Sequence, residues 1–441
     1  TPLELQRVKV TPSALVIGGG VAGMFASLSL AEQGFEVYLV EKEAELGGNL
    51  RRVKYFITGE DAKSFLNSIE NKVRENPKIK VFTGATVENI SGYVGNYTTT
   101  LRAGDSSTIL NHGVVVVATG GREYRPTKYP LDGKVIITQL DLEERLEKGG
   151  AKGFPKKIVM VQCAGSRGEE LSYCSRVCCI QALKNALKIK ELSPESEVYI
   201  LYMDMRSYGF YEKYYLEARK KGVRFIRFKE DKRPVVEIKN KQPVVRVWDV
   251  VLGEEIELKA DLCVLSVGIV AEEAKEVVNL LKLPTNEEGF IMEAHVKLRP
   301  VETATDGVFV VGLAHSPQLV TEVLAQARAG AGKAAIPLAK GYVEVPPIVA
   351  SVNEAKCIGC AICAEICPFS AIEMVKVEKR RKAQVIKAAC KGCGICASHC
   401  PVFAIDVGGF TSEAILDQIR GFKREEEGEA AIEEKKIVEA T

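Results

Sequence analysis

The feature that most constrains this chain is a repeated run of cysteines. Cys357-x2-Cys360-x2-Cys363-x3-Cys367-Pro368 is followed, 33 residues later, by Cys390-x2-Cys393-x2-Cys396-x3-Cys400-Pro401. Three thiolates this close in sequence, with a fourth just beyond, can surround one inorganic cube with sulfur ligands and backbone N–H groups that offset its negative charge. Zinc is the competing reading, but CxxC zinc sites typically use two pairs with a long spacer and no tight third cysteine. The segment is therefore expected to fold around two [4Fe–4S] clusters.

The repeat is similar to that of two-cluster ferredoxins, in which the fourth cysteine of each run crosses to the other cluster. That resemblance implies Cys357, Cys360, Cys363 and Cys400 on one cluster, and Cys390, Cys393, Cys396 and Cys367 on the other. All 13 cysteines among the 441 residues must then be explained, and an odd number excludes a fully paired disulfide framework. The longest uncharged stretch, Val10–Ala31, contains Pro12 and three consecutive glycines, which argues against a membrane span, and no small-residue cleavage pattern follows it, which argues against a signal peptide. The chain is expected in the cytoplasm, where thiols serve as ligands or redox groups more than as bridges. Lysine plus arginine total 60 against 58 acidic residues, so no overall charge draws the chain to nucleic acid or an anionic membrane.

Before the repeat, the pattern is α/β. Ala14–Ile17 reads as a buried strand, Gly18-Gly-Gly20-Val21-Ala22-Gly23 as a turn opening a helix over 21–33, and Glu36–Val40 as a second strand ending at Glu41 and Lys42. In such a unit Gly18 permits the tight turn, Gly20 admits a pyrophosphate and Gly23 lets helix and strand pack closely. The helix N-terminus would hold the phosphates, and Glu41 the adenosine ribose. A structural glycine turn is the plain alternative. Apolar runs at 114–118, 157–162, 197–202, 261–267 and 307–311, alternating with helical patterns at 180–192 and 319–338, extend this to two parallel-sheet units.

Motifs downstream choose the nucleotide. Glu45-Leu46-Gly47-Gly48-Asn49, Val117-Ala118-Thr119-Gly120 and Thr305–Gly312 followed by Leu313 and Ala314 resemble the two-dinucleotide-domain flavoproteins related to thioredoxin reductase. The resemblance implies FAD held by these segments and a second glycine turn, for a nicotinamide, in the inserted domain. At that position the chain has Cys163-Ala-Gly165-Ser-Arg167 instead, and Leu313 replaces the Asp that holds the ribityl chain. The expected division is a flavin module at 1–125, an inserted nicotinamide-domain-like region at 126–265, the flavin module's return at 266–340, an extended linker at 341–350, a small α+β two-cluster ferredoxin domain at 351–407, and a charged helical tail at 408–441.

A second cysteine group, Cys163, Cys174, Cys178 and Cys179, spans 17 residues. Its spacing leaves open a third cluster, a redox dithiol or buried thiols. A helix starting near Cys174 would bring Cys174, Cys178 and Cys179 to one face. Cys263, in an apolar run, reads as a core thiol. The aromatic group Tyr202, Tyr208, Phe210, Tyr211, Tyr214 and Tyr215 reads as packing, with a partner-facing surface as the alternative, and His315 as a residue that could approach the flavin.

Gln162–Arg167, Tyr173–Cys179, Tyr208–Glu212, Ala218-Arg219 and Gly222-Val223 are similar to the A-type subunits of heterodisulfide reductase, the flavin-bearing, electron-bifurcating subunits of methanogens and other anaerobes. The resemblance implies a third, unusually ligated [4Fe–4S] cluster on Cys163, Cys174, Cys178 and Cys179, and a lysine near the reactive flavin nitrogen at Lys184, for which a solvated helix lysine is the plain alternative. Longer members carry an N-terminal cluster domain and an inserted ferredoxin domain that this chain lacks, so a shortened homologue or one module of an assembly is expected. The function expected is that of an oxidoreductase subunit that bifurcates or relays electrons. Its donor would be a hydrogenase, formate dehydrogenase or NADH-oxidising subunit, its acceptors ferredoxin or a heterodisulfide reductase catalytic or iron–sulfur subunit, and its state a homodimer within a larger complex. A self-contained NAD(P)H-dependent ferredoxin or disulfide reductase and a non-bifurcating electron-transfer scaffold are the alternatives.

Overall fold

A computed structural model describes residues 5–148, 155–378 and 380–422. The larger of two compact units comprises Thr11–Gly92 and Asn96–Ala339. Its first sheet is wholly parallel, in the order Val308–Val310, Val114–Val117, Ser13–Ile17, Glu36–Val40, Ile79–Phe82. Four consecutive buried valines at Val114–Val117 suit a strand covered on both faces. The second sheet repeats the plan with Ile136–Thr138, Leu262–Val267, Lys157–Ala164, Glu197–Tyr202 and Arg224–Arg227, again parallel.

In both sheets the first strand of the glycine- or cysteine-bearing crossover, Ser13–Ile17 or Lys157–Ala164, sits centrally. The chain steps outward on one side of it and later returns to the other. The crevice beyond the carboxyl end of such a strand, where strand order reverses, is where open α/β sheets bind ligands. One switch point carries Gly18 and the other Cys163. The sheets are joined by a short antiparallel ribbon, Arg122–Glu123 against Ile269–Val270.

The helix expected to begin near Cys174 starts at Cys178 and runs to Leu192. Arg176 has φ +59°, a left-handed conformation that no helix of L-residues continues through. The buried Ser175 Oγ instead accepts the Ile269 N–H at 2.8 Å, tying this turn to the inter-sheet ribbon. The aromatic group divides rather than packing together. Tyr202 and Tyr215 stack edge-on against Phe225, whereas Phe210 is 94% exposed.

Among the described residues the smaller unit contains the N-terminal strand Gln6–Lys9, Tyr93–Gly95 and the chain from Lys340 to Phe422. Four of the ten residues expected as a linker form a strand: Tyr342–Val345 pairs antiparallel with Gln6–Lys9, and Pro346-Pro347, which cannot donate to a ladder, follows it. Ala350–Val352 pairs with Ile405–Val407, and Ile372–Val377 with Arg380–Val385. Two short helices, Ile362–Ile366 and Ile395–Ser398, carry Cys363 and Cys396 into a small core with Ala350, Ile372, Ala383 and Ile405. Residues 412–422 are helical; the tail from Lys423 lies outside the described residues. No helix among the described residues is long and apolar enough to cross a membrane.

Candidate functional site: a cavity between two sheets and three cysteine groups

A cavity of ≈ 840 Å³ opens in the larger unit at the first switch point. It is lined by Gly18, Gly20, Val21, Ala22, Glu41, Lys42, Gly47, Gly48, Asn49, Ala118, Thr119, Gly120 and Leu313, all sequence candidates. Val177, Ile180, Gln181 and Lys184, from the helix that follows the second cysteine group, line it as well. The candidates Gly23, Gly312 and Ala314 are not part of that lining. Gly23 packs so tightly on the glycine turn that an added Cβ would lie 1.8 Å from the Gly18 carbonyl oxygen, and Ala314 belongs to the flavin-sheet core. His315 turns toward Glu293, at 3.5 Å, rather than into the cavity.

The lining fits an adenine dinucleotide. A Cβ on Gly18, at φ +112°, would approach the Ala118 carbonyl oxygen to 2.2 Å, so only glycine makes this turn. A Cβ on Gly20 would meet no protein atom within 4 Å, because that face of the backbone borders open space. Gly20 caps the helix Val21–Glu32, whose first N–H groups are directed there. Glu41 accepts the Gly19 N–H at 2.6 Å and the Glu43 N–H at 2.8 Å, which holds its carboxylate at the cavity wall with lone pairs to spare. Thr119 Oγ1 is buried without a hydrogen-bond partner, an orphan that a bound cofactor can satisfy.

Lys184 reaches the cavity from the second sheet's side. Its ammonium lies 2.8 Å from Glu143, which is fully buried, and donates to the Tyr55 carbonyl at 2.8 Å. Burial holds its pKa below the usual lysine range, against the opposing pull of Glu143. Gln181 Nε2 and the Lys54 N–H also donate to Glu143, at 3.3 and 3.1 Å. Sequence reasoning missed Glu143. The signal was an acidic residue on the inward stripe of the helix Gln139–Lys148, beside Gln139, Leu142 and Leu146.

At the second switch point Cys163, Cys174, Cys178 and Cys179 converge closely enough to perturb one another's charge. Burial, and then the neighbouring Cys179, pushes the Cys163 thiol up to about 12. A hydrogen bond between Cys178 and Cys179 holds Cys178 well above, and Cys179 below, the usual thiol range. The Arg176 N–H donates to Cys174 Sγ at 3.3 Å. Cys263 stands apart, fully buried in the sheet core, where burial raises its pKa to about 12.

In the smaller unit, Cys357, Cys360, Cys363 and Cys400 line one small hollow, and Cys367, Cys390, Cys393 and Cys396 another. The N–H groups of Ala350, Ala371 and Ala404 donate to Cys390, Cys367 and Cys400 sulfurs at 3.2–3.3 Å, the kind of contact that would orient a ligating sulfur.

Residues 12–327 match the pyridine nucleotide-disulphide oxidoreductase family and residues 350–407 the 4Fe-4S dicluster domain. The chain is 35% identical to an A-type iron-sulfur subunit of the CoB--CoM heterodisulfide reductase of Methanopyrus kandleri, over 86% of this chain and 72% of that one. It belongs to the family of A-type heterodisulfide reductase subunits. Another relative, the A-type subunit of the H(2):CoB-CoM heterodisulfide,ferredoxin reductase of Methanothermobacter marburgensis, is 33% identical over 85% of this chain and 71% of its own. Among solved structures, thioredoxin reductase of T. acidophilum shares the fold of the larger unit at a TM-score of 0.53 and 17% identity, covering 75% of this chain and 99% of that one. Family membership makes the chain an electron-transfer oxidoreductase subunit with flavin-binding and iron–sulfur domains.

Proposed function

We propose that this chain takes up electrons in pairs at the cavity of its larger unit and hands them on singly through three [4Fe–4S] clusters, as the branching or relay subunit of a heterodisulfide reductase-type assembly. FAD, once bound, supplies the two-electron to one-electron conversion. Gly20 and the following helix N-terminus would take its pyrophosphate, Glu41 its ribose, and the neighbourhood of Lys184 its redox-active ring. There the Lys184 ammonium holds a proton that the buried Glu143 fixes in place.

The observation that carries this reading is the helix Cys178–Leu192. Its first residues belong to the Cys163–Cys179 group, while Ile180, Gln181 and Lys184 line the cavity. A third cluster on Cys163, Cys174, Cys178 and Cys179 would thus be the acceptor adjoining the flavin. The crossed sets Cys357, Cys360, Cys363, Cys400 and Cys390, Cys393, Cys396, Cys367 would form the two-cluster outlet. The names of the relatives support partners of the heterodisulfide reductase type, with a hydrogen- or formate-oxidising donor and ferredoxin as a further acceptor.

Iron analysis of the anaerobically purified chain tests this directly. Three cubanes give about twelve iron atoms per chain, and about eight would remove the cluster assigned to Cys163–Cys179. Rapid mixing with NADPH or NADH alone should leave the flavin oxidised. Bleaching without a partner protein would overturn the subunit reading in favour of a self-contained reductase.

A further inference from the structure

We propose that Arg233 is the positioning residue of the Cys163–Cys179 site: its guanidinium clamps the turn that aims the Cys163 sulfur at whatever cluster the four cysteines bind. The proposal rests on the reading of that group as a cluster site. Arg233 arrives from outside the sheet, on the loop between Arg224–Arg227 and Val235–Lys239. Its Nη1 donates to the carbonyl oxygens of Cys163, at 3.2 Å, and Ser166, at 2.9 Å, while its Nη2 donates to the carbonyl of Arg167. One side chain thus gathers three main-chain carbonyls of a single turn.

The turn's other hydrogen bonds are main-chain ones, from the Ser166 N–H to the Cys163 carbonyl at 3.1 Å, the Arg167 N–H to the Tyr173 carbonyl at 3.2 Å and the Gly168 N–H to the Leu171 carbonyl at 3.0 Å. The pairing of Lys157–Ala164 with Leu262–Val267 slips between Val161 and Ala164, so the ladder does not fix Cys163. Cys163 and Arg167 have φ of +56° and +57°, conformations sterically unfavourable to L-residues that persist only where surroundings impose them. Gly168 makes room for the guanidinium, because a Cβ there would lie 3.0 Å from Arg233 Nη2. A planar fork spans three such acceptors, whereas a lysine ammonium presents one point of charge.

Arg233 also differs from the other cations nearby in how its charge is met. Arg167 and Arg206 share the carboxylate of Asp204, at 2.5 and 3.3 Å. The carboxylate partner of Arg233 is Glu230, 3.9 Å away and 68% exposed, where solvent screens it. The cation that meets the Cys163 sulfur is Arg167, whose guanidinium hydrogen-bonds that thiol, so Arg233 acts on the site through the backbone of the turn and not through its charge.

The test uses the whole chain, purified anaerobically, as wild type, R233Q and R233K. Flavin content and the signals of the two-cluster unit serve as internal controls. In R233Q we expect the third cluster to lose iron to a chelator at about 10–100-fold lower chelator concentration, with an altered electron paramagnetic resonance signature. R233K should recover little of the chelator resistance, since one ammonium cannot span the three carbonyls that the planar fork gathers. An R233Q chain whose third cluster keeps its spectrum and resistance would overturn the proposal and reduce Arg233 to a surface clamp. About eight iron atoms in the wild type would instead sink the cluster reading itself, and this inference with it.

Discussion

Replacing Lys184 with methionine removes the cation that faces Glu143 across 2.8 Å and leaves a fully buried carboxylate without a counter-charge. Breaking a buried pair from one side costs about 3–5 kcal/mol. The Lys54 N–H and Gln181 Nε2 still donate to Glu143, which places the expected loss near the lower bound, about 3 kcal/mol. The double variant K184M/E143Q removes both charges and keeps an acceptor for those donors. It should lose only about 1 kcal/mol, about 2 kcal/mol less than K184M alone. Urea unfolding of the flavin-loaded chain, followed by flavin release and by circular dichroism, measures both. If K184M costs less than about 1 kcal/mol, or the double variant is less stable than the single one, Lys184 and Glu143 do not compensate each other and the account of the cavity's polar wall fails.

Two glycines of one motif should behave oppositely. Gly20→Val, whose Cβ meets no protein atom within 4 Å, should give a folded, cluster-bearing chain with little flavin, whereas Gly18→Ala should disturb folding because its Cβ lies 2.2 Å from the Ala118 carbonyl oxygen; flavin-to-protein ratio and circular dichroism separate the two. His112 is buried, its Nε2 paired with Thr99 Oγ1 at 2.7 Å and its Nδ1 with the Val114 carbonyl at 3.0 Å, and burial lowers its pKa to about 4. Between the unfolded value near 6.5 and that folded value, the unfolded chain binds a proton that the native chain does not. Stability should therefore fall by about 3 kcal/mol as pH drops through this window. Urea midpoints across it should fall less steeply in His112→Gln, and equal slopes would show that another group governs the acid response.

Much of the site was legible because its chemistry is local. The ferredoxin-like repeat, the glycine turn and the Ala118-Thr119-Gly120 motif are each short, and the spacing within each is set by covalent geometry and one turn of backbone. The reading erred where a single residue's backbone departed from its neighbours' propensity. Arg176 at φ +59° delays the helix to Cys178, so Cys174 reaches its group from a loop rather than from a helical face. Ala314 and His315 follow a flavin motif in sequence, yet one is packed in the core and the other faces Glu293. Tyr342–Val345 read as linker because nothing local announces pairing with a strand more than three hundred residues earlier.

The sequence by itself determined which atoms are available: thirteen thiols divided as eight, four and one, and one glycine turn where two would be usual in the wider flavoprotein group. Tertiary structure decided which of those atoms meet. Lys157–Ala164 lies between strands that follow it by about 35 and 100 residues, and that strand order places Cys163 at a switch point beside the Cys178–Leu192 helix. The contacts of Lys184 with Glu143 and of Arg233 with the Cys163 carbonyl have the same origin. They join residues 41 and 70 positions apart, and such distances are closed by sheet pairing and core burial, whose free energy is spread over the whole unit and is written in no short motif.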